Sequence, residues 1–365
     1  MKALLLAFIF VISLVGTATF ISRLLPPLEV PLVDEKLAFF ADHRDEFDTL
    51  FFGSSRTYAQ IFPESFDAKT AEAGFPTTSF NFGIDGLFPP EDGYVAERLF
   101  ALRPKNLRRV FIEVSFFREH WFAMDPDSVR ALYWQDARSL KLAVQQAVTG
   151  YNFMPVISKT RPRRWKDWQR NFPRWWADLS PGKALDKRLQ NVAIQTRLFL
   201  RRACNAGRGS DLVARLGRGT VRKYNWSVLG EDWRGMRRPV SRKRIPEPPL
   251  EQFDRWLADA AAKPIALTPM SPAHGEDVRR IVELVRAAGA EPILVVAPDA
   301  YPCRQFLRDE PDLPLFDFSE VAKWPQLYRR EDRLDASHLD YDGAKVFTDE
   351  FARMFIAHEQ AKIRR

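Results

Sequence analysis

Histidine and cysteine are scarce in this chain, which carries five and two of them, respectively, among its 365 residues. So few cysteines exclude a disulfide-rich scaffold. Cys204 and Cys303 either pair in an oxidising compartment or act as independent small hydrophobic residues. The sequence predicts no metal site and no cofactor. It also contains no internal repeat and no low-complexity tract, which excludes a repeat array.

A long hydrophobic run occurs at the N-terminus, where residues 3–21 are almost uninterrupted in apolar character. The run is close to the ~20 residues that cross a bilayer. We therefore predict that residues 1–22 form a transmembrane anchor or a signal segment, with cleavage after Ala18 as the alternative to retention. The body is then membrane-anchored or secreted. In a Gram-negative bacterium it would lie at the periplasmic face of the inner membrane.

Acidic residues are depleted in residues 158–245, which hold 24 of the 55 basic residues but only 6 of the 47 acidic ones. Six of the ten tryptophans also lie there. We interpret this range as a basic, Trp-rich insertion between the two parts of one domain, residues 23–157 and 246–365. Its predicted helix, 183–204, packs on the body, lies on an anionic membrane or grips an anionic glycan. Nucleic acid is not expected as a partner, because no recognisable nucleic-acid module is present.

The predicted domain parts alternate between strand and helix. Buried strands are predicted at 49–53, 108–117 and 292–298, and helices near 90–102 and over 276–290. A last helix follows Asp342 and Gly343. Repeated helix–strand units predict an α/β fold, a three-layer α/β/α sandwich with a mostly parallel sheet, whose sites lie at the carboxyl ends of the strands.

The first motif is FFGSSRTYAQ, at the end of the predicted strand 49–53. Ser54 and Ser55 can start the following helix as ordinary caps, or one of them can be a nucleophile held at the strand end. Arg56 is either a surface residue or an anchor for an anionic or carbonyl group at the mouth of a site.

The second motif is FNFGIDGLFP, in which Gly83 and Gly86 follow an apolar run. Two glycines at this spacing predict a tight loop whose backbone can approach a ligand, and such a loop can donate an N–H to an oxyanion. The alternative is a plain turn.

The third motif is LDASHLDYDG, which places Asp335 three residues before His338. The carboxylate can accept the Nδ1 proton of the imidazole, which leaves Nε2 free to take a proton from a serine hydroxyl. The alternative is a surface Asx-turn beside a histidine. The histidines without a comparable partner and setting are His43, His120, His274 and His358.

These three motifs together resemble the blocks of the SGNH (GDSL-like) hydrolase and acyltransferase superfamily, in the same order along most of the chain. The resemblance implies that Ser55 is the nucleophile, that His338 is the base oriented by Asp335, and that Gly86 serves the oxyanion. The predicted substrate-binding residues are Arg56, Asn81 and Gly83.

One block departs from the superfamily pattern, because residues 113–117, EVSFF, stand where G-x-N-D is usual. Either Ser115 replaces the missing oxyanion donor, or the N–H groups of Ser55 and Gly86 suffice. The same loss is familiar in the exported branch that includes alginate O-acetyltransferases.

That branch implies an extracytoplasmic serine acyl-ester hydrolase or O-acyltransferase acting on a cell-envelope polysaccharide. Its substrate would be an acylated glycan or another ester, and a membrane-bound acyl-donor protein would be a partner. The alternative is a catalytically silent SGNH-like protein that binds glycan or serves as a scaffold in an envelope assembly.

Overall fold

The computed structural model describes residues 30–87, 91–114, 129–149, 181–204, 234–236, 250–262, 266–270, 272–299 and 304–364, together with residue 89 and scattered positions before residue 30. It divides the chain into two compact units. The first combines Met1–Pro31 with Arg118–Lys223, and the second combines Leu32–Phe117 with Tyr224–Arg365.

Two of the predicted regions fall largely outside the described residues. These are the N-terminal segment, 1–22, and most of the insertion, 158–245, so both stay predictions. Among the helices that are described, none combines the length and the hydropathy of a membrane-spanning segment.

A five-stranded parallel sheet forms the centre of the second unit, in the order β2-β1-β3-β5-β7. Its strands are β1 (Thr49–Gly53), β2 (Ser79–Gly83), β3 (Arg109–Glu113), β5 (Glu291–Val296) and β7 (Leu315–Asp317). A separate two-stranded parallel sheet pairs β4 (Thr268–Pro269) with β6 (Gln305–Phe306). Because β2 and β3 lie on opposite sides of β1, the strand order reverses there, which is where open α/β sheets place their sites.

Helices connect the strands and cover both faces of the sheet, which confirms the predicted α/β class. The described helices of the second unit are α1 (Pro31–His43), α2 (Ser55–Gln60), α3 (Pro63–Glu72), α4 (Glu91–Phe100), α8 (Glu251–Ala262), α9 (Pro272–Ala287) and α10 (Tyr341–Ile363), and those of the first unit are α5 (Val129–Tyr133), α6 (Ala137–Thr149) and α7 (Pro181–Ala203).

Alternate residues of β1 pack on opposite faces of the five-stranded sheet, because successive side chains of a strand point to opposite faces. On one face Phe51 stacks on Phe111 with ring centroids 5.3 Å apart, and Phe351 of α10 meets Phe111 edge-on at 4.8 Å. On the other face Phe52 stacks against Phe82, which also packs on Phe40 of α1. Burial on both faces explains why TLFFG is apolar from Leu50 to Phe52 and why the strand is buried along its whole length.

The predicted last helix is present as α10, and it begins at Tyr341, slightly before the start after Gly343 that the sequence predicts. Asp340 caps it, accepting hydrogen bonds from the N–H groups of Asp342 and Gly343 at 3.0 Å. Phe347, Phe351 and Phe355 form its buried stripe. The motif therefore lies on a short connection whose far end is fixed by a well-packed helix.

The described part of the first unit consists of α5, α6 and α7. Helix α7 confirms the helix predicted over 183–204. Leu198 of this helix is fully buried, whereas Leu189 is 57% exposed. The Arg202 guanidinium donates to the carbonyls of Leu132 and Gln135 around the end of α5.

Candidate active site

The two serines after β1 have separate tasks. Ser54 adopts an extended backbone, and its hydroxyl accepts the N–H of Arg56 at 3.3 Å, so it is the N-cap of α2. Ser55 is the first residue of that helix, and its hydroxyl oxygen lies 2.8 Å from Nε2 of His338. The cap reading of this motif is therefore confirmed for Ser54, and the nucleophile reading stays a prediction for Ser55.

Ser55, His338 and Asp335 form a continuous hydrogen-bonded chain. Nδ1 of His338 lies 2.9 Å from each carboxylate oxygen of Asp335. A carboxylate only accepts hydrogen bonds, so Nδ1 carries the proton and Nε2 is left to accept the Ser55 hydroxyl. The predicted contact between two residues 283 positions apart is confirmed.

Asp335 makes His338 a stronger base than an ordinary histidine. Burial opposes the imidazolium charge, but the hydrogen bond and the negative charge of Asp335 outweigh it and raise the pKa of His338 above 6.5. Burial likewise opposes the charge of Asp335, and its bond to His338 lowers its pKa below 3.8. The pair is therefore an ionised carboxylate behind an imidazole that accepts a proton readily.

The loop that carries this pair is also an Asx-turn. One oxygen of Asp335 accepts the backbone N–H groups of Ser337 at 2.8 Å and His338 at 2.9 Å. The Asx-turn that was the alternative reading of the third motif is therefore present, and it coexists with the predicted contact between Asp335 and His338. Arg333, which is fully buried, holds the loop from below by donating to the carbonyls of Ala336 and Pro298.

Glu113, at the end of β3, fixes the start of α2. Its carboxylate accepts the Ser54 N–H at 2.8 Å, the Ser54 hydroxyl at 2.7 Å and the Thr57 hydroxyl at 2.7 Å. Nε of Arg56 also donates to it at 2.7 Å. Glu113 opens the segment EVSFF, residues 113–117, and its carboxylate is a buried acceptor for the first motif.

The first backbone N–H groups of α2 and its cap have acceptors among the described residues, except for that of Ser55. Glu113 accepts the N–H groups of Ser54 and Thr57, and the Ser54 hydroxyl accepts that of Arg56. Within the part of the chain that the structure describes, the N–H of Ser55 has no protein acceptor. It is the group that the sequence assigns to the oxyanion.

The second motif folds into a tight turn beside the end of β1. The Leu87 N–H donates to the Ile84 carbonyl at 3.0 Å, and the Ile84 N–H donates to the Gly53 carbonyl at 2.9 Å. Gly86 has φ +65°, the value that the third residue of a type II turn requires. The predicted tight loop is confirmed, and its role toward an oxyanion stays a prediction.

Asn81 and Gly83 are buried supports of the site, and their role in substrate binding stays a prediction. Asn81 is fully buried, and its amide donates to the carbonyls of Thr57 and Ile61 and accepts the Gly83 N–H. A Cβ on Gly83 would lie 2.3 Å from the Tyr58 nitrogen, so only glycine lets β2 approach α2 this closely.

Arg56 is likewise buried, so it is not the surface residue that was its alternative reading, and its role as a substrate anchor stays a prediction. Its side chain is 7% exposed and pairs with Glu113 and Asp299. Burial disfavours the cation, but the two carboxylates outweigh it and raise the pKa of Arg56. Ser115, the other predicted oxyanion residue, lies outside the described residues.

Sequence reasoning missed Glu113, Asp299 and Lys36. Glu113 and Asp299 each follow a buried apolar strand run, and a charged residue at that edge is a signal that could have found them. Lys36 lies in helix α1, and nothing in the sequence around it indicates that its side chain is buried. It is fully buried, donates to the carbonyls of Asn81 and Gly83, and has a pKa well below 10.5 because burial penalises its charge.

Across the described ranges, the acid–histidine group with spacing suited to a metal ion is Glu291, His358 and Glu359. Glu291 opens β5, at the edge opposite the carboxyl ends, and cations already occupy the carboxylates. Lys362 pairs with both glutamates, and Arg109 pairs with Glu359. This group is therefore an ion-pair network remote from Ser55.

Comparison with known proteins adds no family. The chain matches no protein-family model. A search of the curated proteins also returns no match. Any function assigned to it has to rest on the geometry around Ser55.

Proposed function

We propose that the chain is an extracytoplasmic SGNH-like serine acyl-ester hydrolase or O-acyltransferase. The observation that carries this proposal is the Ser55–His338–Asp335 chain, with its two links of 2.8 and 2.9 Å. A serine hydroxyl held against a histidine whose other nitrogen meets a carboxylate is the arrangement that activates serine for acyl transfer. The superfamily is proposed on the order and spacing of the three motifs.

In the first half-reaction His338 Nε2 takes the Ser55 proton while Oγ forms a bond to the ester carbonyl carbon. The carbonyl electron pair moves onto oxygen, and the N–H groups of Ser55 and Gly86 are the proposed donors to this oxyanion. When the oxyanion collapses, the bond between the acyl carbon and the alcohol oxygen breaks. The alcohol leaves with the proton from His338, and the acyl group stays on Ser55.

In the second half-reaction an acceptor hydroxyl gives its proton to His338 and attacks the acyl carbon. The bond to Ser55 Oγ breaks, and Oγ recovers the proton from His338. Water as acceptor makes the protein an esterase, and a sugar hydroxyl makes it an O-acyltransferase. Asp335 stays ionised throughout and stabilises the imidazolium that forms in each half-reaction.

The proposed acceptor is a cell-envelope polysaccharide, and the proposed substrate is an acylated glycan or another ester. The excess of basic residues and tryptophans in residues 158–245 supports this choice, because both suit an anionic or sugar-bearing polymer. The apolar N-terminal run supports placing the body outside the cytoplasm, beside a membrane-bound acyl donor. The alternative is a catalytically silent protein that binds glycan or serves as a scaffold, and the absence of a G-x-N-D block suggests it.

Covalent labelling with a fluorophosphonate tests the proposal. We expect the Ser55 Oγ to displace the leaving group from phosphorus, and peptide mapping to find the adduct on Ser55. His338→Gln should remove the labelling, because the hydroxyl then keeps its proton. An unlabelled wild-type protein with intact folding would reject the enzyme proposal and favour the silent alternative.

The labelling rate should also depend on pH in a defined direction. His338 acts as a base only when neutral, so the rate should rise with pH and reach its midpoint above 6.5, since the pKa of His338 is raised. Asp335→Asn removes the negative charge and should move the midpoint to lower pH while reducing the plateau. Rates measured over a pH series in both proteins check this, and a midpoint that rises in the variant contradicts it.

A further inference from the structure

Asp299 lies between the two halves of the candidate site. It follows β5 at the carboxyl edge of the sheet, and its side chain is 6% exposed. One carboxylate oxygen pairs with Arg56, in the helix that begins with Ser55. The other accepts the hydroxyl of Ser337 at 3.0 Å. Ser337 is the residue immediately before His338, so one carboxylate joins the nucleophile helix to the loop that carries the base.

We propose that Asp299 is a positioning residue that sets the distance between Ser55 and His338 and tunes the imidazole through its charge. The proposal rests on the function proposed above. Asp299 does not touch the reacting atoms, and it acts through Arg56 on one side and Ser337 on the other.

The positioning part of this role follows from the contacts between helix α2 and the loop that carries Asp335 and His338. Asp335 braces the loop internally, and Arg333 holds it from the side of the core. Among the described residues, the contacts that tie it to α2 besides the Ser55–His338 hydrogen bond include the Ser337 hydroxyl, which donates to Asp299, the partner of Arg56, and the Gln60 amide, which donates to the Ser337 carbonyl at 3.1 Å. Displacing a catalytic group by about 1 Å can cost roughly a hundredfold in rate. Loss of the hydrogen bond between Ser337 and Asp299 is therefore expected to lower the rate.

The electrostatic part follows from the charges around the imidazole. Asp335 contacts it directly, and Asp299 and Arg56 act on it from the helix side. Asp299 favours the imidazolium, whereas Arg56 opposes it. Replacing Asp299 by a neutral residue removes the favourable charge and leaves the opposing one. The imidazole should then titrate at lower pH.

Two variants separate the two parts of the role. Asp299→Asn removes the charge, whereas Ser337→Ala cuts only the link to the loop and leaves the Arg56–Asp299 pair in place. We expect both to slow fluorophosphonate labelling of Ser55, by about tenfold to a hundredfold. NMR titration of the imidazole, assigned with a His338→Gln sample, should show a lower midpoint in Asp299→Asn and an unchanged midpoint in Ser337→Ala.

The proposal is overturned if folded Asp299→Asn titrates like the wild type, whatever happens to its stability, because a merely structural residue leaves that midpoint in place. It is also overturned if Ser337→Ala labels at the wild-type rate. Should Asp299→Asn not fold, the labelling rate of Ser337→Ala decides. A wild-type protein that is never labelled refutes the proposed function. The titration of Asp299→Asn would still decide whether Asp299 acts on His338.

Discussion

Ser55→Ala should reduce the rate of ester cleavage or acyl transfer by about 10⁴–10⁶-fold, while folding is unchanged. The substitution removes the one oxygen that lies within 2.8 Å of the imidazole. It leaves the backbone N–H of residue 55 and the pair formed by His338 and Asp335 intact. Residual rate enhancement should come only from binding and from the oxyanion donors. Hydrolysis of simple acetyl esters and fluorophosphonate labelling measure the loss.

Ser54→Ala is the matched control for this prediction. Ser54 is the neighbouring serine, but its hydroxyl caps α2 and donates to Glu113. We expect its loss to cost about 0.5–2 kcal/mol of unfolding free energy, the usual range for an N-cap. Labelling at residue 55 should persist in this variant. If Ser54→Ala lost labelling and Ser55→Ala kept it, the nucleophile would be assigned to the wrong serine.

Glu113→Gln should be the most destabilising single exchange near the site, with an expected loss of about 3–5 kcal/mol. Both partners of the Glu113–Arg56 pair are buried, with side chains 1% and 7% exposed. Removing the carboxylate charge leaves the Arg56 cation with Asp299 as its remaining carboxylate partner, and it weakens the acceptor that holds the Ser54 N–H. Denaturant titration of both proteins measures the difference.

The wild-type protein should also show this contribution in its pH dependence. Burial disfavours the Glu113 charge, but Arg56 and the hydrogen bonds from Thr57 and Ser54 outweigh it and lower the pKa below 4.5. A carboxyl group with a depressed pKa stabilises the folded state above its ordinary pKa, and this stabilisation is lost as pH falls through the folded value. Acid should therefore destabilise the wild type more steeply than Glu113→Gln.

Glu331→Gln provides the comparison for this stability prediction. Glu331 pairs with Arg329, but both side chains are more than half exposed. Water screens such a pair, so its loss should cost less than about 1 kcal/mol. If the two glutamate exchanges had equal effects, burial of Glu113 would not be the reason for its importance.

Strands β1, β3 and β5 follow from local sequence, whereas β2 and β7 were not predicted. TLFFG is apolar from Leu50 to Phe52, and such a run fits a strand buried on both faces. Helix α10 follows its stripe of phenylalanines, and Asp340 begins it. The two blocks GSSR and DASH could also be read locally, because a serine after a buried strand and an aspartate three residues before a histidine are short patterns.

Local sequence could not predict which charged residues are buried or which ion pairs they form. Arg56 reads as a surface or ligand-binding residue, because arginine is rarely buried without a partner. Its partners, Glu113 and Asp299, lie 57 and 243 residues further along the chain. They meet it because the order β2-β1-β3-β5-β7 brings the carboxyl ends of β1, β3 and β5 to one edge. Nothing in the hydropathy pattern encodes that order.

The sequence by itself determined the α/β class and predicted the pairing of Asp335 with His338, since each depends on residues that are near neighbours in the chain, whereas the choice of Ser55 over Ser54 as nucleophile candidate came from the resemblance of the three motifs to a superfamily. Only the tertiary structure decided that Ser55 meets His338, that Ser54 is the cap, and that Arg56, Asn81 and Gly83 are internal supports. The physical reason is one of range. Hydrophobic periodicity and short side-chain contacts act over a few residues, whereas burial and ion pairing depend on which strands become neighbours.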